Sequence, residues 1–246
     1  MSSSGESGFV TSLLILAAFF SESTAMLPRR FRLSLLPALA VLLPGIGVAA
    51  EQTVPVSTFS KGVWTGWEAK VFKGETGYAF TFDAEKSATV LEAWSRATAS
   101  GRYRRIKVDL VRTPFLNWSW KVAEPLSGVD ENTKAGDDFA ARLYVVVERG
   151  ILGLGSLSMN YVWASQHPAG AAWPSPFTMN VRLLAVDSGT AQLNSWISHK
   201  RNVRQDFKEQ FGEDIQSIDA VALMTDTDDS GKSAHAFYGE IWFSSQ

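Results

Sequence analysis

Cysteine is absent from this chain of 246 residues, which excludes disulfide staples, cysteine-ligated zinc and thiol catalysis. Histidine is scarce, and His167, His199 and His235 are scattered along the sequence. No Gly-x-Ser-x-Gly elbow, phosphate-cradling glycine loop or His-Glu-x-x-His pair occurs, so hydrolases of the familiar kinds find no motif here. The formal charge is only −2 and no long run of lysine and arginine exists, so there is no basic footprint for nucleic acid. Internal repeats and low-complexity tracts are also missing.

Aromatic residues, by contrast, are abundant. Nine tryptophans and fifteen phenylalanines bury much area per side chain, enough for a large core without disulfides. Apolar residues at 46% and charged residues at 20% describe a globular chain, not a disordered one. The N-terminus reads as targeting sequence. Arg29, Arg30 and Arg32 precede an apolar run broken by Pro37 and Pro44, and small residues Val48 and Ala50 precede Glu51. This predicts a signal peptide over residues 26–50, cleaved after Ala50, ahead of a single β-sandwich domain over 51–246. A membrane anchor is the competing reading, weakened by Pro44 and the glycines Gly45 and Gly47. Met26 opens a complete signal, so residues 1–25 read as an upstream extension and Met26 competes with Met1 as the start. The signal predicts a periplasmic or secreted protein with no membrane attachment after cleavage.

The rest of the chain shows period-two patterning. Leu116, Trp118, Trp120 and Val122 share one face of a strand, and Asn117, Ser119 and Lys121 share the other. Residues 139–148 alternate in the same way, with Phe139, Ala141, Leu143, Val145 and Val147 opposed to Arg142 and Tyr144. Further strands are predicted at 78–82, 88–94, 102–111 and 157–163, and a pair at 178–186 and 193–200. Pro168, Pro174 and Pro176 make 165–177 a long loop. Val203, Phe207 and Phe211, stopped by Gly212, form one short helix. The stretch 215–243 reads as two strands joined by an acidic loop, a final hairpin that closes the core. Many short antiparallel strands and one helix predict an all-β sandwich of jelly-roll type.

Asn117-Trp118-Ser119-Trp120-Lys121-Val122, Lys134-Ala135-Gly136-Asp137-Asp138-Phe139-Ala140-Ala141-Arg142, Tyr161-Val162-Trp163, Arg201-Asn202-Val203 with Asp206, Phe211-Gly212 and Met224-Thr225-Asp226-Thr227-Asp228 together resemble the bacterial domain of unknown function 3047 family. The resemblance runs from about Phe59 to Phe243. It implies no activity, since the family has none assigned, and its layout is similar to the galactose-binding-like and carbohydrate-binding jelly rolls.

Three constellations carry chemistry. Asp226-Thr227-Asp228-Asp229-Ser230-Gly231 matches the first six positions of a calcium loop, with Asp226, Asp228 and Ser230 as oxygen ligands; Phe237 stands where the twelfth-position carboxylate belongs. The competing reading is a solvated acidic turn. Asn117, Ser119, Lys121, Arg142, Tyr144, Asn160, Asn180 and Arg182 lie opposite the apolar positions, and with Asp138 they form the candidate ligand-binding set. Amide, guanidinium and aromatic groups suit the hydroxyls of a glycan or another small polar ligand, with Trp173 available to stack on a sugar; the bland reading is a wet sheet face. Asp137, Asp138, Asp226 and Asp228 are the carboxylates of the alternative, a glycan hydrolase or lyase. The leading expectation is a non-catalytic binding module with calcium as its cofactor; a scaffold contacting other envelope proteins is a third reading.

Overall fold

The computed structural model describes residues 51–150 and 153–246; the predicted extension (1–25) and signal peptide (26–50) lie outside the described residues. Two seven-stranded sheets pack face to face. In sheet A, β1 (Thr53–Pro55) and β14 (Trp242–Ser244) run beside the long β6 (Phe115–Glu124). The order continues through β13 (Ser233–Tyr238), β4 (Ala88–Arg96) and β3 (Gly77–Asp83), while β11 (Ile197–Asn202) also pairs with β6. Sheet B orders β2 (Glu68–Lys73), β5 (Ala99–Asp109), β12 (Ser217–Met224), β7 (Arg142–Val147), β8 (Leu157–Ala164), β10 (Val181–Ser188) and β9 (Ala172–Pro174). From β4 to β7, and again from β11 to β13, consecutive strands change sheet, which is the connectivity of a jelly-roll sandwich.

Alternation builds the core. Leu116, Trp118, Trp120 and Val122 point inward from sheet A and meet Leu143, Val145, Val147, Met159, Tyr161 and Trp163 of sheet B. Trp118 packs edge-on to Trp120 at 5.5 Å and tilted against Tyr161 at 5.2 Å. The single helix, α1 (Val203–Phe211), forms as its pattern predicts. Asn202 accepts from the Gln205 N–H at its start, and Gly212, with φ 73°, ends it. Buried Asp206 of α1 accepts from Tyr161 Oη at 2.7 Å and pairs with Arg201, tying the helix to both sheets.

Four local expectations change. The strands flanking the acidic loop are not a hairpin: β12 belongs to sheet B and β13 to sheet A. Nor do β10 and β11 pair with each other. A register shift between Ala185 and Asp187 swings Asp187 inward, onto Trp120 Nε1 at 2.5 Å and His199 Nε2 at 2.7 Å. The following chain then crosses to sheet A, where Asn194 N–H donates to Val122. The β8–β10 pair is parallel. The proline-rich loop contains the short β9, which tolerates Pro174 because it is an edge strand.

One hydroxyl stitches the two layers. Tyr238 of sheet A donates to Met224 O at 2.8 Å, lies 2.9 Å from Thr225 Oγ1, and accepts from Arg142 N–H at 3.4 Å. Tyr238→Phe keeps the ring but leaves these buried groups short of a partner, at a cost of about 1–3 kcal/mol. Urea unfolding measures it, and an unchanged midpoint would refute the stitch.

Candidate functional site

Crossing from β12 to β13 forces a stretch of backbone out of sheet pairing inside the molecule, and two threonines receive it. Thr225 Oγ1 donates to Ala140 O at 2.9 Å, and its carbonyl accepts from Thr76 Oγ1 at 3.1 Å. Thr227 N–H donates to Thr98 O at 3.0 Å, with its hydroxyl 2.7 Å from Ser95 Oγ. Both threonines are fully buried. The first half of the acidic loop, Thr225 to Asp228, is therefore an internal crossover, and residues 228–231 turn toward the surface.

The crossover meets the segment before β7. Phe139 and Asp226 bond reciprocally: Asp226 N–H donates to Phe139 O at 3.2 Å, and Phe139 N–H to Asp226 Oδ1 at 3.3 Å. Asp138 accepts from the N–H groups of Asp229 at 3.3 Å and Ser230 at 2.6 Å. The result brings Asp138, Asp228 and Asp229 together with carboxylate oxygens within 4.8 Å of one another, a group able to hold a metal ion. Asp226 does not join it. Its side chain turns to Arg142, whose Nη1 lies 3.5 Å from Asp226 Oδ2 and 3.5 Å from Asp137 Oδ1. The metal-capable set thus differs from the one read along the loop, Asp226, Asp228 and Ser230. A linear motif sees only neighbours in sequence, whereas Asp138 arrives from another segment.

Arg142 is 2% exposed and lies over the rings of Phe139 at 4.9 Å and Tyr144 at 4.8 Å. Burial works against its charge, but Asp137 and the other acids outweigh burial and hold the guanidinium protonated more firmly than usual. The acids move the other way. Burial pushes Asp226 well up, with Asp138 and Asp137 adding repulsion against the pull of Arg142. Burial, then Asp138, raises Asp228, which Lys73 partly offsets. Burial and the neighbouring Asp228 raise Asp229 to about 7. Negative charge is in excess here, and a proton or a cation relieves it.

The predicted ligand-binding residues fall into separate places. Arg142 and Tyr144 share the face of sheet B turned away from the main core, where Tyr144 joins a second buried cluster with Tyr103, Val146, Ala222 and Met224, and Asp138 interacts with Arg142 electrostatically. Asn160 stands opposite Tyr144 in the register. Asn117, Ser119 and Lys121 lie on the outward face of sheet A instead. There Asn117 donates to Ser244 Oγ at 2.9 Å, Ser119 sits tight beneath Gly239, and Lys121 pairs with Asp83 at 2.5 Å. Arg182 bonds Gln210 O at the end of α1, and Asn180 lies in the turn before β10. Strand alternation alone says which residues oppose the core, not which of two sheets carries them.

Sequence reasoning missed a row across sheet B. Trp173, Leu183, Asn160, Tyr144, Ala222, Tyr103 and Glu68 stand in successive register on β9, β10, β8, β7, β12, β5 and β2. On and beside this row, Trp173 Nε1, Asn160 Nδ2 and Arg142 Nε are buried donors with no acceptor among the described residues. Each histidine pairs with a carboxylate: His167 with Glu131, His199 with Asp187 and His235 with Glu92. Among the described residues no serine or threonine hydroxyl hydrogen-bonds any of their rings.

The raised carboxyl of Asp229 makes stability depend on pH. The folded state keeps a proton up to about pH 7 that the unfolded chain releases near 3.8, so its stabilising effect is complete below 3.8 and is lost as pH rises through 7. In EDTA, Asp229→Asn is therefore expected to gain thermal stability relative to the parent between about pH 4 and pH 8. A difference that stays constant over this range would contradict the arrangement.

No curated protein matches the sequence. Solved structures resemble the fold at low identity. A carbohydrate-binding module of the beta-sandwich superfamily aligns with TM-score 0.39 and 10% identity over 76% of this chain and 61% of that one. The chain thus spans about three fifths of that structure, and it spans 21% of the bacteriophage CBA120 tailspike protein 4 domain. Endoglucanase cel12A from Rhodothermus marinus aligns with TM-score 0.43 and 11% identity over 78% of this chain and 100% of that one. The CBM22-1 xylan-binding domain of Paenibacillus barcinonensis Xyn10C gives 0.35 and 14% over 79% and 94%. Residues 65–242, which include the crossover, Arg142 and the row across sheet B, match the family described as protein of unknown function DUF3047, and the chain belongs to that family.

Proposed function

We propose that the protein is a periplasmic or secreted binding module for a glycan or similar polyhydroxylated ligand, held on the outward face of sheet B. The observation that carries this reading is the set of buried, acceptor-less donors Arg142 Nε, Asn160 Nδ2 and Trp173 Nε1. A buried donor left unpaired costs about 1–3 kcal/mol, so a ligand that supplies acceptors gains from meeting it. The carboxylates of Asp138 and Asp228 interact electrostatically with Arg142 and demand the opposite, a hydrogen-bond donor or a cation. Hydroxyl groups do both jobs. A free anion would be repelled by the aspartates, and an ammonium could not accept from the N–H groups. At the margin of this face Asp229 is half-buried and Lys73 exposed. Among the described residues no helix is long and apolar enough to cross a membrane.

Calcium fits the acid group beside this face. Asp138, Asp228 and Asp229 offer hard oxygens, and a divalent ion would offset the charge excess that raises Asp228 and Asp229. One observation favours a second reading, a glycan hydrolase: the closeness of these carboxylates approaches the roughly 5 Å of a retaining pair, and Asp229 can hold a proton near neutral pH.

Calorimetry against soluble glycan oligosaccharides, with and without calcium, tests the proposal. Binding is expected in the parent and about tenfold weaker in Asn160→Ala, the loss of one hydrogen bond being worth ~1.4 kcal/mol. Calcium at 100 times its Kd should add ~2.7 kcal/mol of stability, and Asp138→Asn should abolish that gain. Equal affinities for the parent and Asn160→Ala would sink the assignment of the face. Release of reducing ends from the same mixtures, lost in Asp229→Asn, would move the reading to the hydrolase.

A further inference from the structure

A second feature, on the opposite side of the molecule, is independent of the sheet B face. Leu91 and Ala93 of β4 belong to the core, so Glu92, Trp94 and Arg96 share the outward face of sheet A. Trp94 is 47% exposed there. Its neighbour across the sheet, on β3, is Gly77. A Cβ at position 77 would lie 2.2, 2.4 and 2.6 Å from Cε2, Nε1 and Cζ2 of the indole. The indole therefore sits directly against the bare backbone of Gly77, with nearly half of its surface open to solvent. Glycine lowers strand propensity, and within strands it marks places of close approach. Here it lets a tryptophan lie close and open, where any other residue would prop the ring up.

The groups around the ring are polar and mutually compensated. His235 stands opposite Trp94 on β13, with its Nε2 2.8 Å from Glu92 Oε1. Phe237 stands opposite Glu92 and beside His235, with ring centroids 4.7 Å apart. Lys121, opposite Phe237, is tied to Asp83 at 2.5 Å. The exposed charges at the margin, Arg96 and Glu124, have opposite signs. The face thus offers an aromatic plane and hydrogen-bonding groups with its charges balanced against one another. That combination complements an uncharged polymer with alternating apolar faces and hydroxyl edges; a strongly anionic or cationic chain gains nothing from it.

We infer that this face binds an extended, uncharged β-1,4-linked polysaccharide, with one pyranose stacked on Trp94 and its hydroxyls reaching Glu92 and His235. An equatorially linked chain presents the flat C–H faces that an open indole can cover. Sheet A is a platform for a polymer surface, whereas the sheet B face encloses single polar groups.

Retention on microcrystalline cellulose and crystalline chitin, and retardation in gels containing hydroxyethylcellulose or xylan, supply the test. The parent should be retained by at least one of these polymers. Trp94→Ala should bind about tenfold or more weakly, and Trp94→Phe should recover part of the loss. Trp94→Ala uncovers Gly77 and should lower the thermal midpoint, but it should leave the calcium response of the sheet B site unchanged, so that failure here is separate from failure there. Asn160→Ala, conversely, should retain polymer binding. Failure of the parent to bind all four polymers, or equal binding by the parent and Trp94→Ala, would overturn the inference. Binding to polyanionic alginate in preference to the four would overturn it as well.

Discussion

A strand that leaves one sheet to enter the other must surrender its ladder hydrogen bonds in the interior, and each orphaned group there costs more than an ordinary bond returns. The crossover after β12 is where this protein meets that constraint. Thr225 and Thr227 supply hydroxyls on either side of the chain, reaching Ala140, Ser95 and Tyr238, while their backbone groups pair with Thr76 and Thr98. Threonine suits the position because one small side chain both donates and accepts. With the backbone satisfied in this way, Asp226, Asp228 and Asp229 have fixed directions in a region that would otherwise exclude charge.

The acids then organise what surrounds them. Asp138 accepts from the N–H groups of Asp229 and Ser230, which joins two loops distant in sequence. Arg142 answers Asp137 and Asp226, and the planes of Phe139 and Tyr144 confine its guanidinium between them. Buried ion pairs of this kind are weak sources of stability, because desolvation offsets most of the Coulomb attraction. Their retention here makes better sense as a way of aiming groups than as a way of holding the fold, which the inter-sheet aromatics and the Tyr238 stitch already secure.

Much of the architecture is legible in the sequence because side-chain alternation is a local signal. Trp118 and Trp120 are core, the 203–211 helix starts at Asn202 and ends at Gly212, and β6 and β8 run as their patterns require. What is not legible is any relation that depends on which sheet a strand joins. Phe139 obeys the alternation of residues 139–147 on paper, yet it leaves the main core for the cluster with Trp173, because β7 begins only at Arg142. Asn117 and Tyr144 both oppose apolar residues, yet they look out from opposite sides of the sandwich. The calcium-loop pattern shares Asp228 with the acid cluster but could not supply Asp138, which arrives from a segment distant in sequence. The seat of Trp94 is equally invisible, because nothing links Gly77 to it before β3 and β4 pair.

The two outward faces therefore differ in a way that composition hides. Both carry aromatic and polar residues, but hydration separates them. On sheet B, Arg142, Tyr144 and Asn160 are almost wholly buried, so each unmatched N–H is costly and its partner must match it in geometry. On sheet A, Trp94 is open to water, so contact there gains from covering apolar area and tolerates variation in hydrogen bonding. Sheet B carries buried clusters on the side away from the main core whereas sheet A presents an open tryptophan, so the two faces follow separate rules, and function has to be argued from the sites and not from the fold.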